Sequence, residues 1–136
     1  MKRVGIVLDP ENSSHAALRR AAEAAAPALG IQVTALGVHD ASEIERGISG
    51  IVRHQNGGLN VLSNPVTIRT RDLIIVLAAR YRLPAIYMFP YFAAGGGLIA
   101  YGIDQLDQWR GAAGYVDRIL KGEKPGDLPV QAPTKY

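Results

Sequence analysis

Apolar and polar positions along this chain follow two periods in alternation. Short continuous apolar runs that contain β-branched residues predict strands buried on both faces. The stretches between them carry apolar residues at every third or fourth position, which is typical of amphipathic helices. The predicted strands are 3–8, 31–38, 59–62, 83–87 and 98–101, and the predicted helices are about 13–29, 42–55, 65–80 and 105–121.

Capping residues predict where the helices begin. Asn12 or Ser13 can cap the first helix, because a short polar side chain accepts a hydrogen bond from a free N–H group of the first turn. Ser42 and Glu45 have the spacing of a capping box before the second helix. Asn64-Pro65 fits a cap followed by proline at the first position of the third helix.

Glycine and proline predict where the helices end. Gly30 is suited to the residue after the first helix, and the run 56–58 (Asn-Gly-Gly) ends the second. Pro27 should kink the first helix or end it early. We expect apolar contacts from Ala17, Leu18, Ala21 and Ala25 of the first helix and from Ile68, Ile75, Val76 and Ala79 of the third.

The order of these elements predicts the fold class. Three β-α units in succession are typical of an α/β fold, with a doubly wound parallel sheet, here of about five strands, and helices on both faces. With 136 residues the chain can bury a core of its own. We expect a lobe over residues 1–101, a helix over 102–122 and an extended, proline-rich tail over 123–136.

The last predicted helix is apolar along one face. Asp104 is a suitable N-cap, and Gly122 follows the last turn. Its apolar residues are spaced by 3, 4, 3 and 4 positions, which forms a seam that needs a partner surface. The seam consists of Leu106, Trp109, Ala113, Val116 and Leu120.

Composition and charge restrict the function classes. The chain has no cysteine, which excludes disulfides, thiolate zinc sites and a cysteine nucleophile. Its 15 basic and 12 acidic residues give a net charge of +3, which is weak support for nucleic-acid binding. The apolar run 4–8 is shorter than the core of a signal peptide, and no stretch is long enough to span a membrane.

The carboxyl ends of the predicted strands are the expected place for a ligand, because parallel strands end at one edge of the sheet. Three features of that edge have two interpretations each. Asp9, Asn12 and Asn64 are either ligand contacts or helix caps. The run 95–97 (Gly-Gly-Gly) is either an anion cradle or a turn. The aromatic residues Phe89, Tyr91 and Phe92 either face a ligand or pack at the edge of the lobe.

Catalysis has little support in the sequence. Ser63 lies at a strand-to-helix turn but lacks the flanking glycines of a nucleophile elbow. His15, His39 and His54 do not have metal-ligand spacing. We therefore expect no enzyme, metal or cofactor, and a small enzyme that uses Ser63 or Asp9 is the least favoured hypothesis.

Three stretches resemble a known family. They are KRVGIVLDPEN at 2–12, LAARYRLPAIY at 77–87, and the segment from 94 to 136 with the pattern YG-x-D followed by VD-x-ILKG-x-KP-x-DLPV and PTK plus an aromatic residue. Together with the β-α spacing, they resemble the second lobe of ABC-transporter substrate-binding proteins of the tryptophan/tyrosine type, which have a type I periplasmic-binding fold. The resemblance covers nearly the whole chain and implies one Rossmann-like lobe of a larger protein.

The resemblance implies function and location. Such proteins hold a small extracytoplasmic solute, often an amino acid, in a cleft between two lobes and deliver it to an ABC permease. Tyr101 and Asp104 would lie near the hinge, and the seam helix would pack on the other lobe. Carried over by position, the solute contacts are Asp9, Pro10, Glu11, Asn12, Ser63, Asn64, Phe89, Tyr91, Gly95 and Gly96.

A second hypothesis needs no transport. An isolated chain that exposes the seam is expected to form a homodimer through its last helix, as a stand-alone interaction module. A third expectation concerns binding strength: one lobe has half of a cleft, so it should bind solute weakly by itself.

Overall fold

The computed structural model describes residues 2–53 and 57–136. Within these ranges it contains one sheet of five parallel strands in the spatial order β2-β1-β3-β4-β5. The strands are β1 (Lys2–Leu8), β2 (Ile31–Gly37), β3 (Gly57–Val61), β4 (Ala85–Tyr87) and β5 (Ile99–Ala100). This arrangement confirms the predicted α/β fold class.

Helices cover both faces of the sheet. In the described chain they are α1 (Ser13–Ala25), α2 (Ala41–Val52), α3 (Pro65–Arg69), α4 (Arg71–Arg80), α5 (Pro90–Ala94) and α6 (Gln105–Leu120). Successive residues of β1 point to opposite faces. Val7 therefore belongs to the larger apolar cluster with α2, α4 and α5, whereas Ile6 and Leu8 form a smaller cluster against Ala22 of α1.

Helix α1 begins as predicted but buries a different face. The Asn12 side chain caps it, and the α-helix ends at Ala25, where a 3-10 turn (Ala26–Leu29) that contains Pro27 leads to Gly30 in the left-handed conformation (φ 62°). The predicted inner face was wrong: Ala17, Leu18, Ala21 and Ala25 are exposed. This helix is alanine-rich on several sides, so residue size alone did not indicate which side meets the sheet. His15 is the buried residue of α1, and Ala26 is buried in the turn that follows.

The cap predicted for α2 was also wrong. Asp40 is the N-cap, and its carboxylate accepts hydrogen bonds from the Glu43 N–H at 2.8 Å and the Ser42 hydroxyl at 2.8 Å. Aspartate is as good an N-cap as serine and stands two positions earlier, so the helix starts sooner. The predicted end at 56 lies outside the described residues, and 57 and 58 begin β3.

The predicted third helix is two helices. The Asn64 cap and Pro65 at the first position are confirmed. The chain then breaks at Thr70, whose hydroxyl donates to the Val66 carbonyl at 2.7 Å, and such back-bonding competes with the helical ladder. Ile68 of α3 is exposed. Restarting at Arg71 changes the phase, so Val76 and Ala79 of α4 are exposed as well, while Ile74, Ile75, Leu77 and Ala78 are buried.

The described chain divides into two compact units, Met1–Tyr101 and Gly102–Tyr136. In the second unit, Asp104 caps α6 through the N–H groups of Leu106 and Asp107, and Gly122 follows the helix with φ 102°. The tail begins with a 3-10 turn (Pro125–Asp127) and then returns along the helix. No helix among the described residues is long and apolar enough to cross a membrane.

Three contacts hold the tail against one side of α6. The Tyr115 hydroxyl donates to the Pro129 carbonyl. The Lys135 ammonium meets the Asp107 carboxylate at 2.7 Å, and the Lys135 carbonyl accepts from the Asp104 N–H at 3.0 Å. With 3.6 residues per turn, positions 104, 107 and 115 lie on one side of the helix and the apolar seam on the other. All seam residues are exposed: Leu106, Trp109, Ala113, Val116 and Leu120.

Candidate functional site

The carboxyl ends of three neighbouring strands meet at one edge of the sheet. Asp9 directly follows β1, Ser63 lies just beyond β3, and Met88 directly follows β4. Because β1 pairs with β3 and β3 with β4, all in parallel, these residues share the edge that the sequence indicated. We call the segments 9–12, 63–64 and 88–92 the rim.

The loop after β1 is a compact polar turn. The Asp9 carboxylate accepts from the Glu11 N–H at 2.9 Å, and its carbonyl accepts from the Asn12 N–H at 3.3 Å. Pro10 lies against the end of β2, because a Cβ placed on Gly37 would be 3.5 Å from its Cγ. Asp9 therefore forms the turn and Asn12 caps α1, while Pro10 and Glu11 remain exposed.

The loop after β3 is built around a reciprocal cap. Asn64 Oδ1 accepts from the N–H groups of Val66 and Thr67, and the Asn64 N–H donates to Thr67 Oγ1 at 2.9 Å. Asn64 is 3% exposed, and its side-chain nitrogen, Nδ2, has no hydrogen-bond partner among the described residues. The cap interpretation therefore holds for Asn64.

His15 joins these two loops. It is 5% exposed. Its Nδ1 lies 3.0 Å from the Asp9 amide nitrogen, and its Nε2 lies 3.2 Å from the Ser63 carbonyl oxygen. Sequence reasoning considered this histidine only as a metal ligand. The available signal was a histidine in the first turn of a helix that follows a strand end, where a side chain can reach back to the rim.

Ser63 is not arranged as a nucleophile. Its contact with His15 uses the backbone carbonyl, not the hydroxyl, and its N–H donates to Met88 Sδ at 3.3 Å. Within the described residues no histidine or carboxylate hydrogen bonds to the Ser63 hydroxyl, so the base required for nucleophilic catalysis is not in place.

Four aromatic rings form a stacked series at the end of β4. Tyr87 stacks on Phe92 at 5.0 Å between ring centroids, Phe92 on Tyr91 at 5.1 Å, and Tyr91 on Phe89 at 5.4 Å. Tyr87 and Phe92 are buried, Phe89 is half-buried, and Tyr91 is 36% exposed. The inner pair is thus packing, and the outer pair offers an aromatic surface at the rim.

The glycine run is a turn. The N–H groups of Gly95, Gly96 and Gly97 donate to carbonyl groups of α5 at 3.1, 3.0 and 2.9 Å, so they are not free to cradle an anion. Gly96 has φ 104° and faces α4, and Gly96 and Gly97 line a cavity of about 310 Å³ with Ile75 and Ala78. The geometry does not bring this run to the rim loops around Asp9 and Ser63.

An exposed charged group lies at the end of β2. The Glu43 carboxylate accepts from both the N–H and Nδ1 of His39, at 2.8 and 3.0 Å. The hydrogen bond to Glu43 raises the pKa of His39, with smaller contributions from the carboxylates of Glu11 and Asp9. The side of the rim near β1 and β2 is therefore acidic and attracts positively charged groups.

The two predicted hinge residues lie in different units. The Tyr101 N–H donates to the Tyr87 carbonyl at 2.8 Å and continues the β5 pairing. Asp104 belongs to the second unit, where it caps α6.

Among residues 2–53 and 57–136 no group of three or more histidines, aspartates or glutamates is arranged to hold a metal ion, and His54 lies outside the described residues.

A family model and several solved structures match this chain. The model of the ABC transporter substrate binding proteins matches residues 1–135. A conserved domain protein from Vibrio cholerae O1 biovar El Tor aligns over 98% of the chain with a TM-score of 0.81 and 21% identity. An ABC domain in complex with L-Trp from Streptococcus pneumoniae aligns over 96%, with a TM-score of 0.78 and 20% identity.

A third structure is ligand-free. It is the open form of CD0873, a substrate binding protein with adhesive properties from Clostridium difficile, which aligns over 96% with a TM-score of 0.70 and 22% identity. The present chain covers 45%, 44% and 44% of these three proteins, which is less than half of their length. At such identities the likeness shows a shared fold. No curated protein matches the chain.

Proposed function

This chain belongs to the family of ABC transporter substrate binding proteins, and we propose that its rim forms one wall of a binding site for a small solute. The observation that carries the proposal is the meeting of three kinds of group at one sheet edge. The polar turn 9–12, the Ser63 loop and the stacked pair Phe89 and Tyr91 all follow adjacent strands. Families of this kind bind solutes and are not a class of enzymes.

An amino acid or a related compound suits this rim. Asp9 and Glu11 carry carboxylates that attract an amino group, and Tyr91 on Phe89 presents a ring on which a planar or apolar side chain can pack. The relative from Streptococcus pneumoniae is in complex with L-Trp. L-Trp is therefore the first probe to use.

The proposed role is that of one lobe in a two-lobed binder. The matched proteins are more than twice as long as this chain, and a second wall would exclude water from the solute. We propose that the complete site delivers its solute to an ABC permease outside the cytoplasm. The single wall binds weakly, because half of the desolvating surface comes from elsewhere.

Backbone NMR with added L-Trp tests the proposal. The amide signals of 9–12, 63–64 and 89–92 should shift together as L-Trp is raised into the millimolar range, while those of the exposed α1 face, such as Leu18, stay in place. Tyr91→Ala should weaken these shifts, and Leu18→Ala is the matched control for an exposed apolar residue. Absence of shifts at the rim, or shifts only at α6, would contradict the proposal.

A second candidate function is self-association through α6. Trp109 is 72% exposed and Leu120 81%, and the tail occupies the other side of the helix. Arg110 and Asp117 lie along the same flank of the seam. In an antiparallel pair of two copies centred between Ala113 and Gly114, each Arg110 faces the other copy's Asp117, so the charges of this flank complement each other.

A further inference from the structure

His15 contacts the loops that follow two strands. It stands in the first turn of α1, and its ring lies between the ends of β1 and β3. A ring 5% exposed loses most of its contact with water, so its two nitrogen atoms need partners within the protein. Both have one, and both partners are backbone groups of the rim.

These partners determine which nitrogen carries the proton. The Asp9 amide can only donate, so Nδ1 must accept and carry no proton. The Ser63 carbonyl can only accept, so Nε2 must carry the proton and donate. His15 is therefore the neutral Nε2–H tautomer, and neither the other tautomer nor the imidazolium satisfies both partners.

The link continues to a third strand. The Ser63 N–H donates to Met88 Sδ at 3.3 Å, directly after β4. Asp9, His15, Ser63 and Met88 thus form a continuous series of hydrogen bonds across the ends of β1, β3 and β4. Sheet pairing has ended at these positions, so side chains must hold the loops in register.

We propose that His15 is the positioning residue of the rim: its neutral imidazole sets the distance between the Asp9 loop and the Ser63 loop. The functional meaning of this role rests on the proposed solute site, whereas the link itself does not. His15 does not touch the solute in this role; it holds the backbone groups from which the contacts of Asp9 and Ser63 project.

Two substitutions each retain one of the two hydrogen bonds of His15, which we call the arms of the link. In His15→Asn, the side-chain oxygen takes the place of Nδ1 and can accept from Asp9, but nothing reaches Ser63. In His15→Gln, the amide nitrogen takes the place of Nε2 and can donate to Ser63. His15→Leu removes both arms at similar volume, and His39→Leu is the control, because His39 lies at the same edge but is exposed and joins no strands.

NMR reads each arm in the full chain. The ¹⁵N shifts of His15 should show a protonated Nε2 and an unprotonated Nδ1 at neutral pH. Hydrogen exchange of the Asp9 amide should become roughly tenfold faster in His15→Leu and His15→Gln but not in His15→Asn. The carbonyl ¹³C shift of Ser63 should change in His15→Leu and His15→Asn but not in His15→Gln. His39→Leu should alter neither signal.

Two results would overturn the proposal. One is a protonated Nδ1 in His15 at neutral pH; the other is unchanged Asp9 exchange and Ser63 shift in His15→Leu. If circular dichroism shows that His15→Leu does not fold, the opposite responses of His15→Asn and His15→Gln test the proposal. A general loss of packing would change the Asp9 exchange and the Ser63 shift together in each of these two variants. L-Trp titration is read separately: wild type that fails to bind at the rim contradicts the solute site and leaves the tautomer and exchange results to decide on His15.

Discussion

The ring of Tyr87 leaves no space for a side chain at position 97. A Cβ placed on Gly97 would lie 2.7 Å from Tyr87 Cε2 and 2.8 Å from the Phe92 carbonyl oxygen. The ring cannot move aside freely, because it is buried and stacked on Phe92. Glycine at position 97 therefore allows the turn after α5 to pack closely against β4.

Gly97→Ala should consequently destabilise the fold. Separating this turn from the ring should lower the free energy of unfolding by about 1–3 kcal/mol, the usual range for overpacking. Gly50→Ala is the control, since Gly50 is exposed in α2 with nothing near its Cβ position. It should raise stability by about 0.5–1 kcal/mol. Urea denaturation measures both, and equal stability of the two variants would be inconsistent with the crowding.

Arg82 holds a backbone conformation that suits glycine. It has φ 53° after the end of α4, where its N–H donates to the Ala79 carbonyl and the Leu83 N–H donates to the Ala78 carbonyl. Left-handed backbone costs a residue with a side chain about 1–2 kcal/mol. Arg82→Gly should therefore increase the free energy of unfolding by about 0.5–1 kcal/mol, after the greater chain entropy of glycine is subtracted.

Arg80→Gly is the matched comparison for that change. Arg80 is the last residue of α4 and is also exposed, but its backbone is helical. Glycine there should cost about 1 kcal/mol. Thermal unfolding of the two variants should give midpoints on opposite sides of wild type; a decrease in both would mean that the arginine at 82 makes a contact of its own.

The pair His39 and Glu43 should depend on pH in a defined direction. The pKa of Glu43 is lowered by hydrogen bonds from the His39 N–H and side chain, so its contribution to stability is lost as pH falls through that lowered value. The pKa of His39 is raised, so its contribution is lost as pH rises through that raised value. The ion pair is thus fully formed between the ordinary values of 4.5 for glutamate and 6.5 for histidine.

An NMR titration of the His39 ring checks this. Glu43→Gln should return the pKa of His39 toward 6.5, because the first cause of the shift is removed. Ser42→Ala is the control, since Ser42 bonds to Asp40 and not to the histidine. If the pKa of His39 in Glu43→Gln equalled that of wild type, the carboxylates of Glu11 and Asp9 would have to be the main cause.

Self-association through α6 should respond to a single charge in the seam. Burial of Trp109 would make the greatest contribution to such a pair, so Trp109→Glu should abolish any concentration-dependent dimer. Leu29→Glu is the control, because Leu29 is exposed to a similar degree in the other unit. Sedimentation equilibrium that shows a monomer for wild type up to high concentration would remove this candidate function.

Short-range features were predictable from the sequence. Asn12, Asn64 and Asp104 cap helices as expected, because capping depends on residues within one turn. The order of strands and helices was enough for the fold class, since parallel β-α units have few allowed arrangements. The family resemblance followed from the stretches 2–12, 77–87 and 94–136 and agrees with the family model.

The facing of helices and the internal structure of the rim depended on packing between distant residues. Alanines lie on several sides of α1, and only contact with the sheet decided that His15 is buried while Leu18 is exposed. The link between His15 and Ser63 joins residues far apart in the chain, so no local pattern could show it.

The sequence by itself determined the order of the strands, the caps of α1, α3 and α6, the family and the sheet edge at which the strands end, because each depends on local pattern or on a topological rule. Only the tertiary structure decided that the glycine run packs on Tyr87, that the tail lies along the side of α6 opposite the seam, and that a buried histidine joins the rim loops. These depend on which surfaces exclude water together, and that is set by the whole set of contacts rather than by any one segment.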